Sequence, residues 1–129
     1  MHLLLDTHAL LWVLLADPQL GPGARHLVER GAERVHVSVV SLWGVAVKSA
    51  KGSLATDARA AEAALVRSGY LLLDVTRGHV LALADLPVRP DHRDPFDRML
   101  VAQARHEGLT LMTSDAKLSA YGVATVGCG

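Results

Sequence analysis

Four short segments limit what this chain can fold into: HLLL at 2–5, RVHV at 34–37, YLLLDV at 70–75 and LTLM at 109–112. The leucine-rich ones are apolar on successive residues rather than on alternate ones. Such strands must be covered on both faces, which is the habit of parallel sheets. Stretches with helical patterning lie between them and supply the crossovers that parallel strands need. A further candidate strand covers 123–126. The expectation is an α/β chain: a three-layer α/β/α domain with a parallel sheet of four or five strands. The 129 residues suit one domain spanning 1–129, and with half of them apolar but only 4% aromatic its core should be aliphatic.

The helical stretches fall at 7–16, 24–30, 38–51, 57–68, 76–84 and 96–107. The first is apolar on nearly every side, so it should be buried in the domain or in a dimer contact. DPQLGPG at 17–23 and the proline-rich LPVRPDHRDP at 86–95 read as turn and loop. The last helix is the best marked, with Asp94 as N-cap, Pro95 at its first position and Gly108 at its stop.

One helix carries an anomaly. In VSVVSLWGVAVKSAKG, residues 37–52, Leu42, Ala46 and Ala50 define an apolar face. Ser41, Gly44, Lys48 and Lys51 share the opposite, polar face. A glycine inside a helix costs about 1 kcal/mol relative to alanine. A polar-face glycine has no obvious reason to be there.

In open parallel sheets, sites form beyond the carboxyl ends of the strands. Three aspartates stand where that rule directs attention: Asp6 after the first strand, Asp115 after the fourth, and Asp97 in the first turn of the helix opened by DPFD. If strands one and four are neighbours, the three carboxylates converge at one edge. They cannot do so fully charged without a cation, and hard oxygen donors select Mg²⁺ or Mn²⁺. A metal so held acidifies a bound water and neutralises charge on a phosphodiester. Each aspartate also has a plainer use: Asp6 as a helix cap, Asp94 and Asp97 as helix-start residues, Asp115 as a turn opener. Spacing leaves both uses open. Asp74 also follows a leucine run, but Val75 is expected to continue that strand, which makes Asp74 structural.

Other chemistries find no support. Seven histidines lack H-x-x-x-H or H-x-H spacing, and G-x-S-x-G, P-loop and G-x-G-x-x-G motifs do not occur. Lys+Arg and Asp+Glu are both 13, so no basic excess points to nucleic acid, although a local basic groove is compatible with that balance. Arg89, Arg93, Arg98, Lys48 and Lys51 flank the acidic positions and are candidates for phosphate contact or plain surface charge. Cys128, the single cysteine, is expected to be an idle thiol in the tail. The N-terminus lacks a basic leader and no run is long enough to span a bilayer, so no membrane association and a cytoplasmic location are expected.

LLLDTHALLW, SVVSLWGVAVKSAKGSL, LADLPVRPDHRDPFDRMLVAQARHEGLTLMTSD and the closing YGV, taken together and in this order, resemble the PIN-domain toxins of bacterial VapBC toxin–antitoxin pairs. The resemblance covers nearly the whole chain. It implies an α/β/α PIN-like fold, Mg²⁺- or Mn²⁺-dependent endoribonuclease activity on RNA, a homodimer, and inhibition by a small cognate antitoxin. It also implies that Asp6, Asp97 and Asp115 are metal-binding and catalytic acids, with the Thr113 hydroxyl beside the last. The family's remaining acid is the glutamate of S-L-W-E-x-A-x-K, and here Gly44 stands in its place. A glutamate at 44 would pair with Lys48 at i, i+4, although Ser41-x-x-Glu is equally a capping box.

The expected function is therefore that of a toxin nuclease whose activity is reduced or lost at Gly44, as in a detoxified variant or a degenerate copy. The alternative is a non-catalytic pseudo-nuclease that still binds antitoxin or RNA. A phosphatase of the haloacid-dehalogenase type with Asp6 as nucleophile is a third reading. That family carries D-x-D after its first strand, whereas here the residues are Asp6, Thr7 and His8.

Overall fold

A computed structural model describes residues 1–91 and 94–129. In chain order it contains β1 (His2–Leu5), α1 (Thr7–Leu14), α2 (Pro22–His26) running into a π turn at Leu27–Gly31, β2 (Arg34–Ser38), α3 (Val39–Ala50) and α4 (Ala58–Arg67). There follow β3 (Leu71–Leu73), α5 (Arg77–Ala84), α6 (Pro95–Glu107), β4 (Thr110–Thr113), a 3-10 turn at Ala116–Tyr121, and β5 (Thr125–Gly127). The five strands form one parallel sheet in the order β3-β2-β1-β4-β5. The expected three-layer α/β/α architecture is the one found.

Alternation along the strands feeds two cores. Leu3, Leu5, Val35, Val37 and Met112 face one way, onto Ala9 and Leu10 of α1, Leu42 and Val45 of α3, and Leu65 of α4. Leu4 and Leu111 face the other way, onto Leu100, Val101 and Ala104 of α6. Central strands are thus buried on both sides, which is why their sequences are nearly uniform in leucine.

Several boundaries and orientations differ from expectation. α1 stops at Leu14 because Ala16 takes a left-handed φ of 49° and the Asp17 amide folds back onto the Trp12 carbonyl at 2.9 Å. The helix buries Ala9, Leu10 and Leu11 in its own domain, and Trp12, Val13 and Leu14 pack against the same core. Its apolar character therefore needs no dimer contact. Cys128 is fully buried at the end of β5 and belongs to the core instead of dangling. β3 ends at Leu73, so Asp74 follows the strand instead of lying within it; the strand is at the far edge of the sheet, two positions from β1.

The larger correction concerns α3. Ala46 and Ala50 are exposed, whereas Ser41 and Gly44 are buried with Val40, Leu42 and Val45. Burial changes along this helix more than around it. The helix packs against α1, α4 and α6, and its buried residues fall in its first half, from Val40 to Val45, whereas positions 46–48 and 50 are exposed. A helical-face argument presumes one covering surface, and here there are three. The N-cap is Ser38, whose hydroxyl accepts from the Val40 amide at 3.0 Å, so Ser41 lies within the helix and opens no capping box. Among the described residues no helix is long and apolar enough to cross a membrane.

Candidate functional site

The strand order reverses direction between β1 and β4, with β2 and β3 on one side and β5 on the other. A crevice at the carboxyl end of such a switch point is where parallel sheets bind ligands. Asp6 leaves β1 there, and its amide donates to the Met112 carbonyl of β4 at 2.9 Å. Its side chain is only 3% exposed. One carboxylate oxygen accepts from the Ala9 amide at 2.8 Å, which makes Asp6 the N-cap of α1; the Thr113 hydroxyl and the Ser114 amide also donate to it. Burial pushes the Asp6 carboxyl above the ordinary aspartate value; the Ala9 and Thr113 hydrogen bonds, the nearby His8 and the Ser114 amide oppose that rise without cancelling it.

Thr113, itself buried, accepts from the Asp115 amide at 3.0 Å while it donates to Asp6. Asp115 then caps the 3-10 turn by accepting from Lys117 at 3.0 Å. Asp6, Thr113 and Asp115 are therefore brought together by the β1–β4 pairing. The capping roles read in the sequence are real for Asp6 and Asp115, and they hold these side chains in place at the crevice.

Asp97 sits beside a different feature. A cavity of about 260 Å³ is lined by Thr7 and His8 of α1, by Gly44, Lys48 and Lys51, and by Asp97. Asp94 accepts from the Phe96 and Asp97 amides at 2.8 and 3.2 Å, which fixes the first turn of α6 in place. Gly44 is part of the cavity wall, so the position is neither solvent-facing nor core. A Cβ there would meet Thr7 Cγ2 at 3.3 Å and the Phe96 ring at 3.8 Å, close enough that Thr7 must yield by a few tenths of an ångström.

Two of the flanking arginines are engaged elsewhere. Arg98 donates to the Pro87 carbonyl at 2.9 Å and to the Tyr121 hydroxyl at 3.1 Å, and both Arg89 and Arg98 lie over the Tyr121 ring. Arg93 lies outside the described residues.

Sequence reading missed a polar cluster between α5 and α6. His79, His106 and Glu107 form the one group of three acidic, imidazole or thiol side chains, among the described residues, whose ligand atoms all lie within 4.8 Å of one another. Asp6, Asp97 and Asp115 are not drawn together that tightly. The cluster nevertheless has the wrong tautomer for a metal. His79 Nδ1 accepts from the Thr76 amide at 3.0 Å, in a capping box, which keeps the ring proton on Nε2. That proton faces Glu107 Oε1 at 3.8 Å, where a metal would require a lone pair. The Thr76-x-x-His79 spacing was the available signal, with histidine in the place usually taken by Glu or Gln.

The PIN domain family model matches residues 3–124. No curated protein matches the chain. Among solved structures, VapBC2 from Rickettsia felis bound to a DNA fragment from its promoter aligns over 100% of both chains, with a TM-score of 0.75 and 13% identity. FitAcB from Neisseria gonorrhoeae aligns over 95% of each chain, with a TM-score of 0.67 and 18% identity. Mycobacterium tuberculosis VapC20, a toxin that cleaves the sarcin-ricin loop, covers 96% of this chain and 98% of its own, with a TM-score of 0.68 and 21% identity. Identities this low speak to the fold alone.

Proposed function

The chain belongs to the PIN-domain family, a family of nucleases, and from that premise we propose that it is the toxin component of a type II toxin–antitoxin pair. The activity assigned is metal-dependent endoribonucleolytic hydrolysis of RNA phosphodiesters, reduced or lost because Gly44 contributes no carboxylate. The observation that carries this reading is the buried Asp6 at the β1–β4 switch point. Its partners are two amides and a hydroxyl, no described cationic side chain forms an ion pair with it, and its carboxyl is pushed up by desolvation. A buried carboxylate of that kind is suited to a divalent ion.

PIN nucleases generally depend on a divalent metal, and the donors here are of the right chemistry. Asp6, Asp97 and Asp115 would hold Mg²⁺ or Mn²⁺, with Thr113 setting the orientation of Asp6 and Asp115. Three oxygen donors leave room for the several waters that Mg²⁺ keeps. Such an ion, when bound, supplies an acidified water and charge neutralisation on phosphate. The protein's own part is to fix the carboxylates: β1 and β4 align Asp6 with Asp115, and the Asp94 cap holds the turn that carries Asp97.

The partners proposed are a small cognate antitoxin lying over the acidic crevice, an RNA substrate, and a second copy of the chain, in the cytoplasm. An antitoxin Arg or Lys side chain facing the carboxylates would mask them by a charge-assisted contact. The exposed Val80 and Leu81 on α5 are better candidates for the homodimer contact than α1. The alternative, a pseudo-nuclease that binds antitoxin or RNA without turnover, is favoured by the empty wall at Gly44. RNA turnover with added Mn²⁺, against an Asp115→Ala control, separates the two. Turnover abolished by that substitution supports the nuclease, and binding without turnover supports the pseudo-nuclease.

A further inference from the structure

Building on the RNA-directed reading above, we infer that the surface beside Gly44 is a single-stranded RNA cleft in which Trp43, backed by Phe96, stacks a base while Lys48 and Lys51 hold adjacent phosphates. Trp43 is 60% exposed, although indole is among the costliest side chains to leave in water. It is held by Phe96, with ring centroids 4.7 Å apart and planes inclined by 38°. Phe96 forms a shared wall: it lines the cavity that holds Gly44, Lys48 and Lys51, and also an almost wholly apolar hollow of about 560 Å³ bounded by Trp43, Val75 and Met99.

The two lysines are the second, independent observation. Both are exposed in the final turn of α3 or at its cap, and neither forms an ion pair among the described residues. A helix C-terminus welcomes lysines anywhere around its last turn, yet both of these line one cavity. Gly44, at i−4 to Lys48, offers no carboxylate to neutralise it. Asp94 and Asp97 line the α6 side of the same cavity, with Asp94 accepting from two amides, and the two lysines line its α3 side, so the cleft would take a phosphate on the α3 side. An exposed aromatic beside unpaired cations is the combination by which proteins hold single strands without reading sequence.

The test uses the whole chain in a Trp12→Phe background, so that fluorescence reports Trp43, with a short labelled oligouridylate in EDTA to exclude cleavage. Trp43 emission should be quenched on binding. Lys48→Ala with Lys51→Ala should lower the slope of log affinity against log salt by about 1.4, at roughly 0.7 per single-strand phosphate. Lys48→Arg with Lys51→Arg should restore the slope. Trp43→Ala should weaken binding roughly tenfold or more and leave the slope alone. An unchanged slope, or RNA binding without quenching of Trp43, would overturn the cleft. Because the readout is binding without metal, a chain that binds in this way but never cleaves would sink the nuclease reading and leave this one standing.

Discussion

Asp6 and Thr113 are joined across the β1–β4 boundary: the Thr113 hydroxyl donates to the Asp6 carboxylate and accepts from the Asp115 amide at 3.0 Å. One buried hydroxyl thus ties the acid that ends β1 to the acid that follows β4. Parallel pairing of Leu5 with Met112 brings the two strand ends level, and the threonine converts that alignment into a fixed relation between side chains.

Thr113→Val keeps the shape but removes both bonds. It leaves the Asp115 amide without its acceptor and Asp6 without one donor, so it should cost about 1–3 kcal/mol. Thr113→Ser should recover most of that loss. Urea unfolding measures it, as a shift of midpoint at unchanged slope. A valine variant as stable as the parent would mean that the hydroxyl does not hold the two strand ends together.

Asp6 makes stability depend on pH with a definite sign. Its folded carboxyl is raised above the ordinary aspartate value of 3.8, so between that value and the raised one the folded state holds more protons than the unfolded. Its contribution to stability is fully present below the ordinary value and is lost as pH rises through the raised one. A divalent ion held at Asp6, as proposed, would compete with that proton. Mn²⁺ at about 100 times its dissociation constant should add about 2.7 kcal/mol at neutral pH, and the gain should shrink as the pH is lowered into the Asp6 window. Thermal melts with and without the ion at the two pH values measure this. An equal gain at both, or one that survives Asp6→Ala, would place the ion elsewhere.

Cys128 should be inert. Desolvation, followed by the charge of Asp6, pushes its thiol up to about 11, and the residue is fully buried. The thiolate is the reactive form, so an aromatic disulfide reagent at neutral pH should label it only as fast as the fold opens. Labelling of native protein at the rate of a free thiol would show that the end of β5 is not packed as described.

The sheet was legible because parallel strands buried on both faces must be apolar, and the α6 boundaries because Asp94, Pro95 and Gly108 each perform a local task. Asp6 and Asp115 were legible as strand-end acids once strands one and four were taken as neighbours. What periodicity could not supply was the surroundings of α3. Three helices pack against it, and Ser41 and Gly44 are buried on what looked like its wet side, while Ala46 and Ala50 face solvent. Thr113 was marked by family resemblance alone, since a hydroxyl between two acids has no spacing signature. The capping box of Thr76 and His79 was missed because a histidine fills the place usually read for Glu or Gln.

The central claim is that position 44 separates fold from activity in this chain. Gly44→Glu gains about 0.5–1 kcal/mol of helix propensity, set against the 3.3 Å approach to Thr7 and a carboxylate beside Asp97. Apo stability should therefore change little. Catalysis should change greatly, because a missing ligand or water-orienting acid can cost on the order of 10²-fold or more. The decisive measurement is cleavage of total RNA by the two forms at equal concentration, with Mg²⁺ and with Mn²⁺, and with Asp6→Ala in the glutamate form as the control for contamination. The account predicts slow or absent cleavage by the glycine form and metal-dependent cleavage by the glutamate form that Asp6→Ala abolishes. Equal cleavage by the glycine and glutamate forms would contradict it.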